Sequence, residues 1–355
     1  MSKAFYNLYD KVCHPLNLWW AYKDAARGKR YQPAAAFFEY DLEKNLIEME
    51  QELKDETYQL GGYHSFRIEK PKRRLVNAAP FRDRVLHHAL MNVIEPLFER
   101  QFIFDSYANR KGKGTHAALD RCTYYLRRHK YVMHLDVRQF FPSIDHQILL
   151  SILSRSLADQ RAMNLICKII ASGNGVQANE YDMVYFPDDE IFASSRPRGL
   201  PIGNLTSQNW ANVYLNELDQ YAKRVLKCRA YIRYVDDMVL FSDEKEQMNQ
   251  WRTEIIQYAQ TLRLTLHEES AQSRPSHTGV SFLGFQVFPE HRRLKPVNGY
   301  AFQRRLKNMR SLYQGGEISQ QDLTISVQSW INHVRYGDTW GLRRAVLSAA
   351  GVYGE

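Results

Sequence analysis

Two adjacent carboxylates interrupt an apolar run in the second half of the chain, Tyr231-Ile-Arg-Tyr-Val-Asp-Asp-Met-Val-Leu-Phe241. The residues on both sides of Asp236 and Asp237 favour strands. A strand that continued through the pair would bury one carboxylate, which is costly unless a cation compensates it. A tight turn instead brings the pair to the tip of a hairpin. The segment therefore predicts a β-hairpin that carries two carboxylates, either as a plain turn or as part of a larger site.

A third carboxylate follows another apolar segment. Residues Tyr131 to Leu135 are predicted to form a buried strand that ends at Asp136. Three carboxylates at strand ends supply the oxygen ligands that Mg²⁺ prefers, and two such ions, with Mn²⁺ as the alternative, catalyse in-line phosphoryl transfer to a primer 3′-hydroxyl. Asp136, Asp236 and Asp237 are thus the predicted metal ligands and catalytic residues.

The charge of the chain agrees with a polyanionic partner. Its 355 residues include 48 Lys+Arg and 39 Asp+Glu, a formal net charge of +9, and phosphate neutralisation favours a positive surface. The four cysteines form no C-x-x-C pair, which argues against a zinc site or a disulfide framework. The sequence has no apolar leader and no apolar window of about 18 residues. We therefore expect a cytoplasmic protein that does not bind a membrane.

Helical and strand-like patterns alternate along the chain, which predicts an α+β fold rather than a βαβ series. Helices are expected at about 41–57, 82–102, 146–171, 204–226 and 245–261, and strands within 64–76, 131–135, 230–242 and 282–288. Residues 172–199 are predicted to form loops around short strands. The chain after residue 289 is basic and is predicted to be helical.

Several segments, in this order, resemble motifs of bacterial reverse transcriptases. Ser106-Tyr-Ala-Asn-Arg-Lys-Gly-Lys-Gly-Thr115 resembles the S-Y-G-F-R-x-G motif of the group II intron-like enzymes. Asp136, with Phe141 five residues later, resembles the first catalytic motif, and Tyr234-Val-Asp-Asp237 resembles the YxDD box. Phe282-Leu283-Gly284-Phe285 resembles the primer-grip turn.

This resemblance extends from about Trp20 to Leu347 and implies a right-hand polymerase. It places the fingers at 35–130 and 150–199, the palm with an antiparallel sheet at 131–149 and 200–288, and a helical thumb at 289–355, after an N-terminal segment at 1–34. It further implies an RNA-directed DNA polymerase, a nucleotidyltransferase whose partners are an RNA template, a DNA primer and dNTPs.

The resemblance also implies binding roles for individual residues. Phe141 would lie under the nucleotide sugar and exclude a 2′-hydroxyl. Segments like the fingers motifs K-x-R and D-R would grip triphosphate and template through Lys72, Arg74 and Arg84. The primer would be bound by Phe282, Leu283 and Gly284.

One box suggests a branch of the family. Gly199-Leu-Pro-Ile-Gly-Asn-Leu-Thr-Ser-Gln208 resembles the box of diversity-generating retroelement reverse transcriptases, whereas most relatives have Q-G-x-x-x-S-P there. Ile202 thus replaces the usual Gln and Gln208 the usual Pro, while Gly203 permits a close backbone approach to the nascent base pair. This branch implies cDNA synthesis on a cognate non-coding RNA, with a small basic accessory protein or a partner reverse transcriptase.

Two alternatives stay open at the level of sequence. Antiphage defence reverse transcriptases, which would synthesise DNA on their own RNA, share the same features. A catalytically weak homologue that only binds nucleic acid is the second alternative, because the chain has Leu266-His-Glu-Glu-Ser270 where relatives carry a Lys. The presence of Asp136, Asp236 and Asp237 argues for an active enzyme.

Overall fold

A computed structural model describes residues 5–69, 73–187 and 189–349 of the chain. The chain divides into two compact units that interleave along the sequence. The first unit combines Met1–Arg110, Val137–Lys227 and Thr253–His267, and the second combines Lys111–Asp136, Cys228–Arg252 and Glu268–Glu355. Each unit is therefore assembled from three separate stretches of sequence.

Helices and short strands alternate in both halves of the chain. The first half contains Tyr9–Cys13 (α1), Pro15–Ala26 (α2), Pro33–Tyr40 (α3), Leu42–Lys54 (α4), His64–Ile68 (β1), Arg74–Ala78 (β2), Phe81–Glu99 (α5), Thr115–Leu126 (α6), Tyr131–Asp136 (β3), Phe140–Ser143 (α7), His146–Ser154 (α8) and Gln160–Ser172 (α9). The second half contains Leu205–Gln220 (α10), Tyr231–Tyr234 (β4), Asp237–Ser242 (β5), Lys245–Thr261 (α11), Arg274–Pro275 (β6), Val280–Phe282 (β7), Phe285–Val287 (β8), Arg292–Leu294 (β9), Pro296–Gln314 (α12), Gln320–Val334 (α13) and Trp340–Ala349 (α14). All pairings between these strands are antiparallel, which confirms the predicted α+β class.

The core of the first unit forms around α5. This helix buries Val85, Leu86 and Leu90, and α2 and α10 pack against it. Each large apolar side chain removed from water in this way contributes roughly 1.5–3 kcal/mol. In the same unit, β1 and β2 form a two-stranded ribbon in which His64 lies opposite Ala78 and Ile68 opposite Arg74.

The second unit is built on a four-stranded sheet with the strand order β4-β5-β3-β6. The central strands β3 and β5 bury Val132, Met133 and Leu135 on one and residues 238–242 on the other. Helix α6 packs against β4 and β5. A separate three-stranded sheet, β7-β8-β9, precedes the helices α12, α13 and α14, whose shared core includes Phe302 stacked on Trp330 at a centroid distance of 4.2 Å.

Three predictions of secondary structure are wrong. The helix expected at 146–171 is two helices, because the Asp159 side chain accepts a hydrogen bond from Ala162 N–H and begins α9 anew. Residues 172–199, except for 188, which lies outside the description, form loops and short 3₁₀ turns without a strand. Residues 292–294 are not helical but pair with β8, and α12 starts only at Pro296, a favoured first helical residue.

All four cysteines are free thiols. Burial raises the pKa of Cys13 to about 11, so this thiol stays protonated at neutral pH. Among the helices of residues 5–69, 73–187 and 189–349, none is both long enough and apolar enough to cross a bilayer.

Candidate active site

The Asp-Asp pair lies in a tight hairpin between β4 and β5. Tyr234 lies opposite Asp237, so that Val235 and Asp236 form a two-residue loop. Val235 has a φ of 55°, and a two-residue hairpin loop with a positive φ at its first position favours Gly there. A β-branched residue in this conformation is strained, at a cost on the order of 1–3 kcal/mol. The chain therefore holds this turn in an unfavourable backbone conformation.

The third carboxylate lies beside this hairpin. In the pairing of β3 with β5, Asp136 lies directly opposite Asp237, and residues opposite one another in an antiparallel pair extend to the same face of the sheet. Asp136, Asp236 and Asp237 are each partly exposed, whereas Val132, Met133 and Leu135 of β3 and residues 238–242 of β5 are buried. The three predicted catalytic residues thus share one end of the four-stranded sheet.

A histidine that the sequence analysis missed contacts this group. His134 Nε2 lies 2.8 Å from Asp237 Oδ1, at hydrogen-bonding distance. His134 and Asp136 are two residues apart in β3 and therefore face the same side. That spacing was the available signal. The contact restricts the rotation of the Asp237 carboxylate and leaves its second oxygen for another ligand.

Two more contacts hold the hairpin. Arg233 is fully buried, and its guanidinium donates a hydrogen bond of 3.0 Å to the carbonyl of Val235. The hydroxyl of Tyr234 lies 3.1 Å from Thr115 Oγ1. Burying a guanidinium is expensive unless its hydrogen bonds are satisfied, so Arg233 is a costly support for a strained turn. Its presence in an otherwise apolar strand was the sequence signal for this role.

The three carboxylates fit Mg²⁺ or Mn²⁺ in the chemistry of their donors. They are hard oxygen ligands, they are accessible, and Mg²⁺ needs only one or two carboxylates when substrate phosphates and water complete its shell. Within the described part of the chain, no group of three or more His, Cys, Asp or Glu side chains is gathered in position to hold an ion. The metal-binding role of Asp136, Asp236 and Asp237 stays a prediction that the strand register supports.

The predicted triphosphate-binding residues lie in the first unit. Lys72 lies outside the described residues. Arg74 is exposed at the start of β2. Arg84 Nε donates a hydrogen bond of 2.8 Å to the carbonyl of Ala79, and burial lowers the pKa of its guanidinium. Arg84 is thus oriented by the chain itself, and Arg74 is accessible to a ligand.

The neighbouring Asp83 is a structural carboxylate. It is buried and accepts hydrogen bonds of 2.8 Å from the Tyr58 hydroxyl and from the backbone N–H of Gly61. Burial raises the pKa of Asp83, and the two hydrogen bonds oppose that rise. In the D-R pair, the aspartate therefore fixes the loop before β1, while Arg84 is the member predicted to bind substrate.

The residues of the Ile202 box pack against β2 in the same unit. The Ile202 carbonyl accepts a hydrogen bond of 2.8 Å from Asn77 N–H. Gly203 has a φ of 112°, and a Cβ there would lie 3.0 Å from Val76 Cγ1, so both conformation and space favour glycine. Gln208 is partly exposed in the first turn of α10.

Asn204 and Phe141 also make contacts with or next to the Ile202 box. Asn204 occupies the N-cap position of α10, but its side chain makes no cap and instead donates to the carbonyl of Asn77 at 3.1 Å. Phe141 is partly buried in α7, and its carbonyl accepts a hydrogen bond of 2.9 Å from Leu200 N–H. The side chain at the N-cap position of α10 is therefore bonded to β2 and not to the first turn of the helix.

The predicted primer-binding residues form the turn between β7 and β8. Leu283 and Gly284 both have positive φ, at 47° and 87°, as in the type I′ turns that connect twisted strands. Phe282 is buried beneath the turn. The carbonyl of Gly284 accepts hydrogen bonds of 3.1 Å from both Lys295 N–H and the Asn298 side chain. The start of α12 thereby fixes the turn.

Comparisons with known proteins agree with these motifs. A family model described as reverse transcriptase (RNA-dependent DNA polymerase) matches residues 67–287. Protein YkfC of Escherichia coli strain K12 is 25% identical over 260 residues, which cover 62% of this chain and 65% of YkfC. Group II intron-encoded protein LtrA of Lactococcus lactis subsp. cremoris is 24% identical over 231 residues, which cover 62% of this chain and 36% of LtrA.

The chain spans less than two thirds of the length of both relatives. Among solved structures, a chain of a partial Cas6-RT-Cas1–Cas2 complex is similar at a TM-score of 0.39 and 19% identity. That similarity covers 75% of this chain and 43% of the other.

Proposed function

The chain belongs to the reverse transcriptase (RNA-dependent DNA polymerase) family, and we propose that it extends a DNA primer along an RNA template. The observation that carries this proposal is the strand register that puts Asp136 opposite Asp237, with Asp236 in the adjoining turn. When bound, Mg²⁺ or Mn²⁺ ions supply activation of the 3′-hydroxyl and stabilisation of the charge on the transferred phosphoryl group.

The residues of the chain contribute position and electrostatics. Asp136, Asp236 and Asp237 would hold the ions at the sheet end, with Asp237 oriented by His134. Phe141 would exclude the 2′-hydroxyl of a ribonucleotide. The incoming triphosphate and template would be gripped by Lys72, Arg74 and Arg84, and the primer by Phe282, Leu283 and Gly284. We assign the fingers to 35–130 and 150–199, the palm to 131–149 and 200–288, and the thumb to 289–355.

Primer extension by carboxamide variants tests this proposal. Asp136→Asn and Asp236→Asn retain size and polarity but lose the negative charge that attracts the ions. We expect extension of a DNA primer on an RNA template to fall by about 10³-fold or more, which corresponds to several kcal/mol of lost transition-state stabilisation. Circular dichroism and the melting temperature should stay close to those of the unchanged chain.

Asp10→Asn is the matched control. Asp10 is 82% exposed and forms an ion pair with Arg161 at 3.3 Å, an exposed contact worth little. It should extend primers like the unchanged chain. Retained extension in Asp236→Asn would contradict the catalytic role of this carboxylate. No extension even by the unchanged chain would contradict the proposed polymerase and favour the catalytically weak homologue.

For the biological role, we propose a diversity-generating retroelement. The support is Ile202 and Gln208 where most relatives have Gln and Pro. A Gln side chain near the templating base can hydrogen-bond to the nascent pair, and its loss reduces discrimination by about 1–2 kcal/mol, or roughly tenfold. We expect low fidelity, most marked at template adenines, as the resemblance to that branch implies.

Error rates on a defined RNA template test this role. Because the Ile202 contact with β2 is made through its backbone carbonyl, Ile202→Gln should leave the fold intact and lower the error rate by about tenfold. Asp10→Asn, an exposed substitution outside this segment, serves as the control. An unchanged error spectrum in Ile202→Gln would contradict the assignment.

The alternative role in antiphage defence makes a different prediction about nucleic acid. A retroelement enzyme should co-purify with a separate non-coding RNA and make cDNA copies of it, together with an accessory protein or a partner reverse transcriptase. A defence enzyme should carry DNA made on its own RNA. Sequencing the co-purified RNA and DNA distinguishes the two. The free cysteines agree with the cytoplasmic location that we propose for either role.

A further inference from the structure

The four-stranded sheet has a second functional end, opposite to the carboxylates. Strand β3 begins at Tyr131, which lies opposite Ser242 at the last position of β5, and it ends at Asp136. Five steps along a strand span about 17 Å at about 3.3 Å per residue. We call the region around Tyr131 the far end of the sheet. It is too distant for the side chains there to contact ligands of Asp136.

Cations accumulate where α6 leads into the far end. The stretch from Arg121 to Leu135 contains four Lys or Arg residues and no Asp or Glu. Two of the cations, Arg127 and Lys130, line an open pocket of about 510 Å³ whose other walls include His129, Ser276 and His277. Arg127 is fixed in place by a hydrogen bond of 2.6 Å from its Nε to the carbonyl of Pro289, while its side chain stays 54% exposed.

The pocket contains a buried polar group without a partner. Ser276 is 4% exposed, and among the described residues its hydroxyl has no hydrogen-bonding partner. Its backbone N–H donates to the carbonyl of Lys130 at 2.8 Å, which ties this serine to the basic run. A buried hydroxyl without a partner costs roughly 1–3 kcal/mol. Ser276 thus contributes this unsatisfied group to the wall of a pocket that Arg127 and Lys130 also line.

A second group of basic and aromatic side chains lies on the last turns of α6 and in the turn that follows it. The guanidinium carbons of Arg121 and Arg128 lie 5.0 Å and 4.4 Å from the ring centroid of Tyr124. Arg121 and Tyr124 are three positions apart and share one face of α6, and Arg128 lies in the turn that directly follows the helix. Tyr124 is 40% exposed. Guanidinium groups ordered on an aromatic ring are suited to bind phosphates, and both groups can stack on bases.

Helix electrostatics alone do not account for this arrangement. Cations near the last turn of α6 are stabilised by the helix dipole, which explains Arg127 and Arg128. It does not explain the orphaned hydroxyl of Ser276. Two acids border the pocket: Glu290 lies 3.9 Å from Arg127, and Asp243 contacts the His129 ring and the backbone N–H of Lys130 rather than its ammonium group. The net character of the far end stays basic.

We propose that the far end, comprising Arg121, Tyr124, Arg127, Arg128, Lys130 and Ser276, binds phosphate groups of RNA at a second site. Its partner is a stretch of RNA outside the segment being copied. The choice of RNA over other polyanions rests on the proposed function, whereas the phosphate chemistry rests on the pocket itself. Such a site would retain a long RNA on the enzyme while its templating part moves past the carboxylates.

Salt-dependent RNA binding tests the site without primer or nucleotides. The probe is a fluorescently labelled RNA hairpin with a 30-nucleotide single-stranded tail, and the variant is Arg127→Gln/Arg128→Gln/Lys130→Gln. Each lost phosphate contact should reduce the slope of log Kobs against log salt by about 0.7–0.9, so the triple variant should lose about 2–3 in slope. Lys11→Gln/Lys23→Gln/Lys44→Gln is the matched control, since it removes three exposed charges from α1, α2 and α4.

A cross-linking measurement makes the test independent of the triple variant's folding. A photo-reactive amino acid in place of His277, which is exposed beside the pocket, should cross-link the RNA tail. The same group in place of Tyr40, which is 85% exposed on α3, should not. An equal change of slope in both triple variants would overturn the proposal. The absence of an RNA cross-link from position 277 would also overturn it, even if that position cross-linked to an acidic protein.

The two proposals fail separately. Asp236→Asn removes catalysis but should keep the full salt slope, because the binding assay contains neither primer nor dNTPs. Loss of primer extension in Asp236→Asn with an unchanged slope in the Arg127, Arg128 and Lys130 variant would leave the polymerase intact and remove the second site. If the unchanged chain extends no primer but the Arg127, Arg128 and Lys130 variant has a reduced slope, the second site would stand and the polymerase would be contradicted.

Discussion

The two ends of the four-stranded sheet lie beside residues of opposite charge. The carboxylate end has Asp136, Asp236 and Asp237, and the far end has the basic run through Arg127 and Lys130. Their separation of about 17 Å along β3 exceeds the Debye length of about 8 Å at physiological ionic strength. On the two proposals, each end would attract its own ligands, cations at one and phosphates at the other, without cancelling the field of its counterpart. A sheet separates two charges that would neutralise each other if they were adjacent.

The largest difference is expected from one substitution made at both ends of β5. Asp237 begins this strand and Asp243 directly follows it. Asp237→Asn should reduce primer extension by about 10³-fold or more, because it removes a charge that the ions need. Asp243→Asn should extend primers normally and lose only its contacts with His129 and Lys130. Single-turnover extension rates of the two variants measure this difference. Similar rates would contradict the proposal that only the carboxylate end serves catalysis.

A smaller difference is expected from the two histidines that contact these aspartates. His134 lies 2.8 Å from Asp237, and His129 lies 3.2 Å from Asp243. Residues that orient a metal ligand typically change metal affinity by about 10–100-fold. We therefore expect His134→Ala to raise the Mg²⁺ concentration for half-maximal extension by at least about tenfold, and His129→Ala to leave it unchanged. Superimposable Mg²⁺ titrations of both variants would show that His134 does not position Asp237.

The smallest expected effect is a change in stability, because the backbone is strained at the carboxylate end of the sheet and not at the far end. Val235 has a positive φ at the carboxylate end, while residues 127–131, 242–243 and 274–278 at the far end include none. Val235→Gly should stabilise the fold by about 1 kcal/mol, the relieved strain less the entropy cost of glycine.

Ser242→Gly at the other end of β5 is the contrasting variant. It relieves no strain and loses hydrogen bonds with Gln247 and Glu244, so it should be destabilising. Urea unfolding midpoints measure both variants. Destabilisation by Val235→Gly would mean that the turn is not strained at this position.

The sequence was sufficient where a feature depends on local pattern. The hairpin around Asp236 and the strand ending at Asp136 follow from apolar alternation and turn geometry, and both form as predicted. Their positions at strand ends suggested that the three carboxylates form one site, and the family resemblance supported this, since a pairing of residues 136 and 237 is a long-range contact. Local pattern contains no information about which distant strand becomes the partner.

The residues that support the site were not predictable in the same way. His134 becomes a neighbour of Asp237 only through the β3–β5 register, and the Arg233 guanidinium is oriented by the strained turn itself. Asn204 has a side chain typical of a helix cap, yet tertiary packing gives it Asn77 as a partner instead. The partner of each of these side chains is set by the tertiary structure. The preference of a single residue for a helix, strand or cap does not predict that partner.

The pairing of β3 with β5 also determines when, during folding, Asp136 and Asp237 come together. Asp136 and Asp237 are separated by about a hundred residues, and closing so long a loop carries a substantial entropy cost before any contact forms. Contacts of this range form slowly compared with helices. A growing chain that has emerged only as far as α10 can already build much of its helical core, yet it has no assembled cluster of carboxylates. The carboxylates that we propose to bind the ions therefore come together late, when β5 pairs with β3, and on this proposal an incomplete chain would not act on nucleotides.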